Sequence, residues 1–149
     1  MNSDNKWMHA ALQEALIAQD KGEVPVGAVI IQNNKIISKG HNCPITNNDA
    51  TAHAEIMAIR SAGKKMKNYR LSETTLYVTL EPCTMCVGAI MHARINRIVF
   101  GASDKKNGVC SSSINLTSEK IFNHKVIVES GVLEEKCRNL IHSFFKMRR

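Results

Sequence analysis

A β-rich stretch that runs straight into a helix start sets the architecture of this chain. Thr74 to Leu80 reads as a buried strand; Pro82 stops it and suits the first position of a helix running to about Arg94. Arg97 to Phe100 is a short strand, Gly101 to Asn115 reads as loop, and Val126 to Val128 is a last strand. Antiparallel strands can join by a tight hairpin, whereas parallel ones need crossover helices. A final amphipathic helix covers Leu133 to Met147, with Leu133, Cys137, Leu140, Ile141 and Phe144 on its inner face.

The first half is built differently. Lys6 to Lys21 reads as a helix, with Trp7, Ala11, Ala15 and Ala18 at helical spacing and Gly22 just past its end. Val26 to Ile31 and Lys35 to Gly40 flank Asn33-Asn34, a pair that tolerates positive φ and so reads as a hairpin turn. Thr51 is placed to cap a helix that runs to Gly63. A hairpin followed by alternating strands and helices predicts an α/β chain with a mixed, about five-stranded sheet in a three-layer α/β/α sandwich. With 149 residues, a single domain over 1–149 is expected, and at that size roughly two-thirds of the unfolded surface is buried.

The longest apolar run, Val24 to Ile31, is far too short to span a bilayer. Asp4 precedes any apolar stretch and no basic segment opens the chain, so no secretory signal is read and a cytoplasmic location is expected. The charge is uneven. Residues 1–59 hold four Lys/Arg against six Asp/Glu, and residues 60–149 hold sixteen against seven. A second half at +9 invites a polyanion, nucleic acid above all, although a solvated basic surface has the same composition.

Five cysteines, an odd number in a chain of cytosolic character, point to metal ligation or catalysis rather than disulfides. Cys83 and Cys86 lie three apart at a predicted helix start, where the partial positive charge favours thiolates. His53, in His53-Ala54-Glu55, sits at the start of the preceding helix and is the natural third ligand. If the two helices lie side by side, their starts meet. Two thiolates and one imidazole suit zinc. A redox pair, a closed four-ligand site using Cys43, Cys110 or a second histidine, and two inert cysteines beside a core histidine compete with this reading. The conjunction of both motifs favours a catalytic metal.

Three protein ligands leave a fourth position for water. Two thiolates neutralise the ion, so its water is acidified less than in an all-histidine site, and a protein base is wanted. Glu55 is the candidate. Residues two apart in a regular helix diverge by about 200°, so Glu55 reaches that water only if the helix start places it over the metal.

His53-Ala54-Glu55 with Pro82-Cys83-Thr84-Met85-Cys86 resembles the zinc-dependent cytidine/deoxycytidylate deaminase superfamily. Further blocks are similar to the bacterial tRNA-specific adenosine deaminase family. They are Glu23-Val24-Pro25-Val26-Gly27-Ala28-Val29, His41-Asn42, Leu80-Glu81-Pro82-Cys83, Phe100-Gly101-Ala102-Ser103-Asp104, Asn123-His124 and Phe144-Phe145-Lys146-Met147-Arg148-Arg149. The resemblance implies a cytidine deaminase-like fold, one Zn2+ per subunit, a homodimer, and conversion of wobble adenosine to inosine in the anticodon stem-loop of an arginine tRNA. It implies His53, Cys83 and Cys86 as zinc ligands and Glu55 as the proton carrier. It implies Asn42 against the target nucleotide with Val24, Pro25 and Val26 near its pocket. Asp104 and Lys106 would lie along the RNA path, and Phe145 and Arg149 would meet the anticodon loop. Ala50 departs from the family, which has Pro there, and implies a less constrained loop before the zinc helix. A small-molecule deaminase and a non-catalytic RNA-binding zinc module are the alternatives.

Overall fold

A computed structural model describes residues 3–148. The chain runs α1 (Ser3–Asp20), β1 (Gly27–Gln32), β2 (Lys35–His41), α2 (Pro44–Asn47), α3 (Ala54–Met66), β3 (Thr75–Leu80), α4 (Thr84–His92), β4 (Arg97–Ala102), a 3-10 turn (Leu116–Ser118), β5 (Ile127–Ser130) and α5 (Glu134–Met147). The five strands form one sheet in the order β2-β1-β3-β4-β5. β1 pairs antiparallel with β2 and β3, whereas β3–β4 and β4–β5 are parallel. The mixed sheet follows from the connections: a two-residue turn joins β1 to β2, and a helix lies between β3 and β4. Asn33 and Asn34 take φ of 51° and 59°, both left-handed as that turn requires.

The strands alternate their faces with period two. Ala28, Ile30, Leu76, Val78, Ile98 and Phe100 point to one side and meet Ala54, Ala58 and Ala62 of α3 with Val87 and Ile90 of α4. Val29, Ile31, Tyr77 and Val99 point to the other and meet Trp7, Met8, Ala11 and Leu12 of α1 with Cys137 of α5. The result is the expected three-layer arrangement. The small residues of α3 let it lie almost against the strand backbone. A Cβ on Gly40 would come within 2.4 Å of the Ala54 carbonyl oxygen and 2.6 Å of the Ala58 nitrogen. The Ser38 hydroxyl donates to the Ala58 carbonyl at 2.8 Å and fixes the same contact.

Several expected boundaries move. α3 starts at Ala54 with His53 as the residue before it, not after a Thr51 cap. Thr51 instead gives its N–H and hydroxyl to Asp49 Oδ1, at 2.9 and 2.7 Å. That turn also holds the loop that contains Ala50. Pro82 lies outside α4, which starts at Thr84 after Cys83. β4 extends to Ala102, two residues beyond the expected end, and the four-residue α2 was not expected. Among the described residues, no helix is long and apolar enough to cross a membrane.

A polar cluster ties α1 to the sheet. Arg97 Nη2 donates to Asp4 Oδ2 at 2.8 Å, the Tyr77 hydroxyl donates to Asp4 Oδ1 at 2.5 Å, and Arg97 Nε donates to Glu129 at 2.7 Å. The Arg97 bond holds the Asp4 carboxyl below its usual 3.8, against the upward push of burial. Its proton is therefore bound more tightly in the unfolded chain. The stability it contributes is full above 3.8 and fades as pH falls through the lower folded value. D4N should lower stability by about 1–3 kcal/mol at neutral pH, with the gap closing below pH 3.8. Urea unfolding of both proteins between pH 7 and 2 checks it; equal midpoints at pH 7 would contradict it.

Candidate active site and metal centre

β2 and β3 both run antiparallel to β1, so the helices that follow them, α3 and α4, start at the same end of the sheet. The two helices share one face of it, so the residues just before them meet. His53 (φ −74°, ψ 159°) and Cys83 (φ −84°, ψ 178°) are both extended N-cap residues, and neither side chain caps its own helix. Their side chains stay free to converge. Cys86, in the first turn of α4, rises over Cys83 because N-cap and third helical positions face each other.

His53 Nδ1 lies 3.7 Å from Cys83 Sγ and 3.6 Å from Cys86 Sγ, and the three donor atoms are all within 4.8 Å of one another. A tetrahedral zinc with ordinary Zn–S and Zn–N lengths would separate a sulfur and a nitrogen ligand by about 3.6 Å. The donors therefore already stand at the edge length of that coordination. Among the described residues the group counts three His, Cys or acidic donors, the number that leaves a coordination position open. All five cysteines are free.

The electrostatics describe a donor set short of a cation. Hydrogen bonding from Cys86 holds the Cys83 thiol down to about 3, opposed by burial and helped by His53. The neighbouring Cys83 sulfur and burial push Cys86 far up, and Cys83 raises His53. One thiolate is thus stabilised at the expense of its neighbour. A divalent ion removes that conflict by favouring both thiolates and the neutral imidazole. Burial pushes the Glu55 carboxyl up to about 7, and a contact from the Cys86 thiol pulls the other way. His53 precedes the helix and does not share its 100° step, and Glu55, in the first turn of α3, lines the same cavity as His53 and Cys83.

His53, Cys83 and Glu55 line the floor of an open cavity of about 1160 Å³, with Cys86 buried behind them. Val24, Val26 and Asn42 make one wall, Ala102 to Asn107 another, and Glu134, Arg138, Ile141, His142 and Phe145 of α5 a third. Of the positions singled out by sequence, Val24, Val26, Asn42, Asp104, Lys106 and Phe145 line the cavity. Pro25 is buried and is not among its lining residues. Arg149 lies outside the described residues. Phe145 is 48% exposed, edge-on to the buried Phe144, so it is the outer ring of the pair at the cavity mouth. Lys64 and Lys65 close the last turn of α3, away from its His53 end, where cations suit the helix terminus.

Three local arrangements escaped the sequence reading. The Asn42 side-chain oxygen accepts from the Ala54 N–H at 2.9 Å, capping α3 from another segment. Glu23 accepts from Ile45 N–H (3.3 Å), Thr46 N–H (2.7 Å) and the Thr46 hydroxyl (2.7 Å), which fixes the start of α2. Burial raises its carboxyl, but the Thr46 and Ile45 bonds outweigh this and hold it below the usual range. Glu81 behaves alike: burial raises it, and bonds from Ser112, Asp104 and Ser111 pull it lower still. Arg138, Ile141 and Phe145 recur at helical spacing on α5, a signal that was present in the sequence.

The model of the MafB19-like deaminase family matches residues 2–149. The chain is 50% identical over 147 residues to the tRNA-specific adenosine deaminase of Haemophilus influenzae, covering 98% of this chain and 85% of that protein. It is 46% identical over 146 residues to the tRNA-specific adenosine deaminase of Bacillus subtilis, covering 98% and 91%. A solved structure from a study of A-to-I editing by tRNA:A34 deaminases superposes with a TM-score of 0.88 at 41% identity, covering 91% of this chain and 98% of that one. A guanine deaminase from Bacillus subtilis superposes with a TM-score of 0.65 at 40% identity, over 69% and 66%.

The Asn42 cap yields a direct expectation. N42A should cost about 0.5–2 kcal/mol, because the Ala54 N–H loses its acceptor beside His53. N42D should recover most of that loss, since a carboxylate is as good an acceptor at a helix start. Urea midpoints of the three proteins check it, and an unchanged N42A midpoint would contradict it.

Proposed function

The chain belongs to the MafB19-like deaminase family, and on that premise we propose that it converts adenosine to inosine by hydrolysis at the wobble position of an arginine tRNA. One observation carries the reading: a His/Cys/Cys donor group and the buried Glu55 carboxyl stand together at a cavity of about 1160 Å³, which His53, Cys83 and Glu55 line with Cys86 buried behind them. That volume exceeds the usual range of roughly 300–1,000 Å³ for small-ligand pockets. It suits a nucleotide splayed from an RNA loop together with its flanking backbone. Lys105, Lys106 and Arg138 on its walls are cations for phosphates. Relatives whose names specify tRNA and adenosine support the same substrate.

His53, Cys83 and Cys86 would hold one zinc ion per subunit. When bound, such an ion supplies the Lewis acidity that makes a water nucleophilic near neutral pH. Glu55 does the proton work. It takes a proton from the water that adds to C6 of the purine and delivers it to N1. It then moves the hydroxyl proton at C6 to the departing nitrogen, so the C6–N bond breaks, ammonia leaves and the lactam of inosine remains. A carboxyl whose burial raises its pKa is suited to both taking and giving a proton near neutrality. Asn42 and Val24 flank the entering base, Pro25 and Val26 support that wall, and Asp104, Lys106, Phe145 and Arg149 serve the RNA path. The same reading carries a homodimer acting in the cytoplasm.

A deaminase of a free purine is the second reading, favoured by the likeness to a guanine deaminase. An assay of released ammonia, with inosine, xanthine and uridine identified as products, on a wobble-adenosine stem-loop, free adenosine, guanine and cytidine separates the two. Product from the stem-loop alone is expected; turnover of a free base with an inert stem-loop would replace this reading with the second. E55Q should lose about 10²–10⁴ in rate while keeping its zinc by metal analysis, and full activity would overturn the proton role. Stem-loop affinity should fall with salt, with a slope of about −0.7 per phosphate contact.

A further inference from the structure

Between the metal-site turn and the cationic wall of the cavity stands one carboxylate without an assigned role. Glu81 is 3% exposed and precedes Pro82 and Cys83. Its Oε2 accepts from the backbone N–H groups of Cys110, Ser111 and Ser112 at 3.0, 2.9 and 3.0 Å. Its Oε1 accepts from the Asp104 N–H at 3.1 Å and from the Ser112 hydroxyl. All five donors belong to the segment 104–112, which has no helix or strand of its own. Among the described residues, three backbone bonds hold that segment to the rest: Val109 N–H donates to the Pro82 carbonyl at 3.1 Å, Ser113 N–H to the Gly108 carbonyl at 3.0 Å and Leu116 N–H to the Val109 carbonyl at 2.7 Å. The Ser113 hydroxyl adds contacts to the Lys105 and Lys106 carbonyls at 2.9 and 3.1 Å.

The loop is shaped to receive this carboxylate. A Cβ on Gly108 would stand 2.4 Å from Glu81 Cδ and 2.6 Å from the Asp104 carbonyl oxygen, so only glycine leaves room. Asp104 is committed inside the loop, with Oδ1 accepting from the Lys106 and Asn107 N–H groups at 3.1 and 3.0 Å. That turn leaves Lys105, Lys106 and Asn107 along the cavity wall.

We infer that Glu81 is a positioning residue that holds Lys105 and Lys106 in register with the metal-site turn, so that RNA phosphates meet them while the base reaches the floor. The inference rests on the reading of this cavity as an RNA site. Glu81 itself carries no proton and touches no substrate. Removing its acceptors frees the loop, which weakens RNA capture and leaves the chemistry of the floor in place.

The test is E81Q in the zinc-loaded full chain, assayed on the wobble-adenosine stem-loop at several salt concentrations. Glutamine keeps the volume but has one acceptor oxygen, so its NH₂ must face two or three N–H or O–H donors. KM should rise about tenfold or more, with kcat within about threefold and zinc content unchanged. The salt slope of log KM should flatten by about 0.7 for each lysine that no longer meets a phosphate, a readout that a purely structural role would not move. S112A, which removes one donor and leaves four, should shift KM about threefold in the same direction, and it decides the matter if E81Q does not fold. Unchanged KM and salt slope in a folded E81Q, or a fall in kcat accompanied by zinc loss, would overturn the inference while the proposed substrate stands. An unaltered protein inert on the stem-loop would remove the substrate reading first.

Discussion

The convergence of two helix starts at one end of the sheet is the constraint on which the remaining structure depends. α3 and α4 lie on the same face, and the strands that precede them, β2 and β3, both run antiparallel to β1 and so finish at the same end of the sheet. Whatever residue precedes each helix is therefore delivered to the same point. Depth is set by α3, whose alanines and the facing Gly40 bring its backbone almost onto β2. A larger residue at Gly40 would lift α3, and with it His53 and Glu55, away from the cysteines. The close packing of small residues that looks like ordinary core thus fixes the geometry of the polar site.

Around this rigid centre the walls of the cavity are irregular, and two buried carboxylates secure them. Glu23 fixes the start of α2 behind Asn42, and Glu81 fixes the loop that carries Lys105 and Lys106. Loops beside a site cannot use a sheet ladder to satisfy their N–H groups without losing their shape. A carboxylate offers two oxygens that together accept several donors from successive residues, which suits a tight turn. Both carboxylates lie in Glu-Pro or Glu-x-Pro sequences, where proline restricts the backbone that presents the acid.

Much of this was legible because it depends on short spacing. The Asn33-Asn34 turn, the hairpin around it and the Cys83/Cys86 pair follow from neighbours within a few residues, and His53, thirty residues before Cys83, was legible as their partner because it too opens a helix. What was not legible depends on partners far along the chain. Thr51 and Pro82 obey local rules for helix starts, yet neither starts a helix. The true N-caps, His53 and Cys83, face the metal site, and Asn42 closes the first of them from twelve residues away. The donors that surround Glu81 come from 23 to 31 residues downstream. A Glu-Pro pair reads as a strand end, and nothing in its neighbourhood announces an acceptor.

The positions of Glu55 and of the cationic wall together explain why one fold can act on a base that is part of a large polyanion. Glu55 is buried at the floor of the cavity, where desolvation by the protein raises its affinity for a proton. Lys105 and Lys106 are exposed, where screening lets charge attract the RNA over a Debye length without perturbing the floor. Cations built beside the carboxyl would lower its pKa and, in the mechanism proposed above, leave it an acceptor alone. On the proposed reading, the depth of the cavity separates capture from proton transfer, and the loop pinned by Glu81 holds the two at a fixed distance.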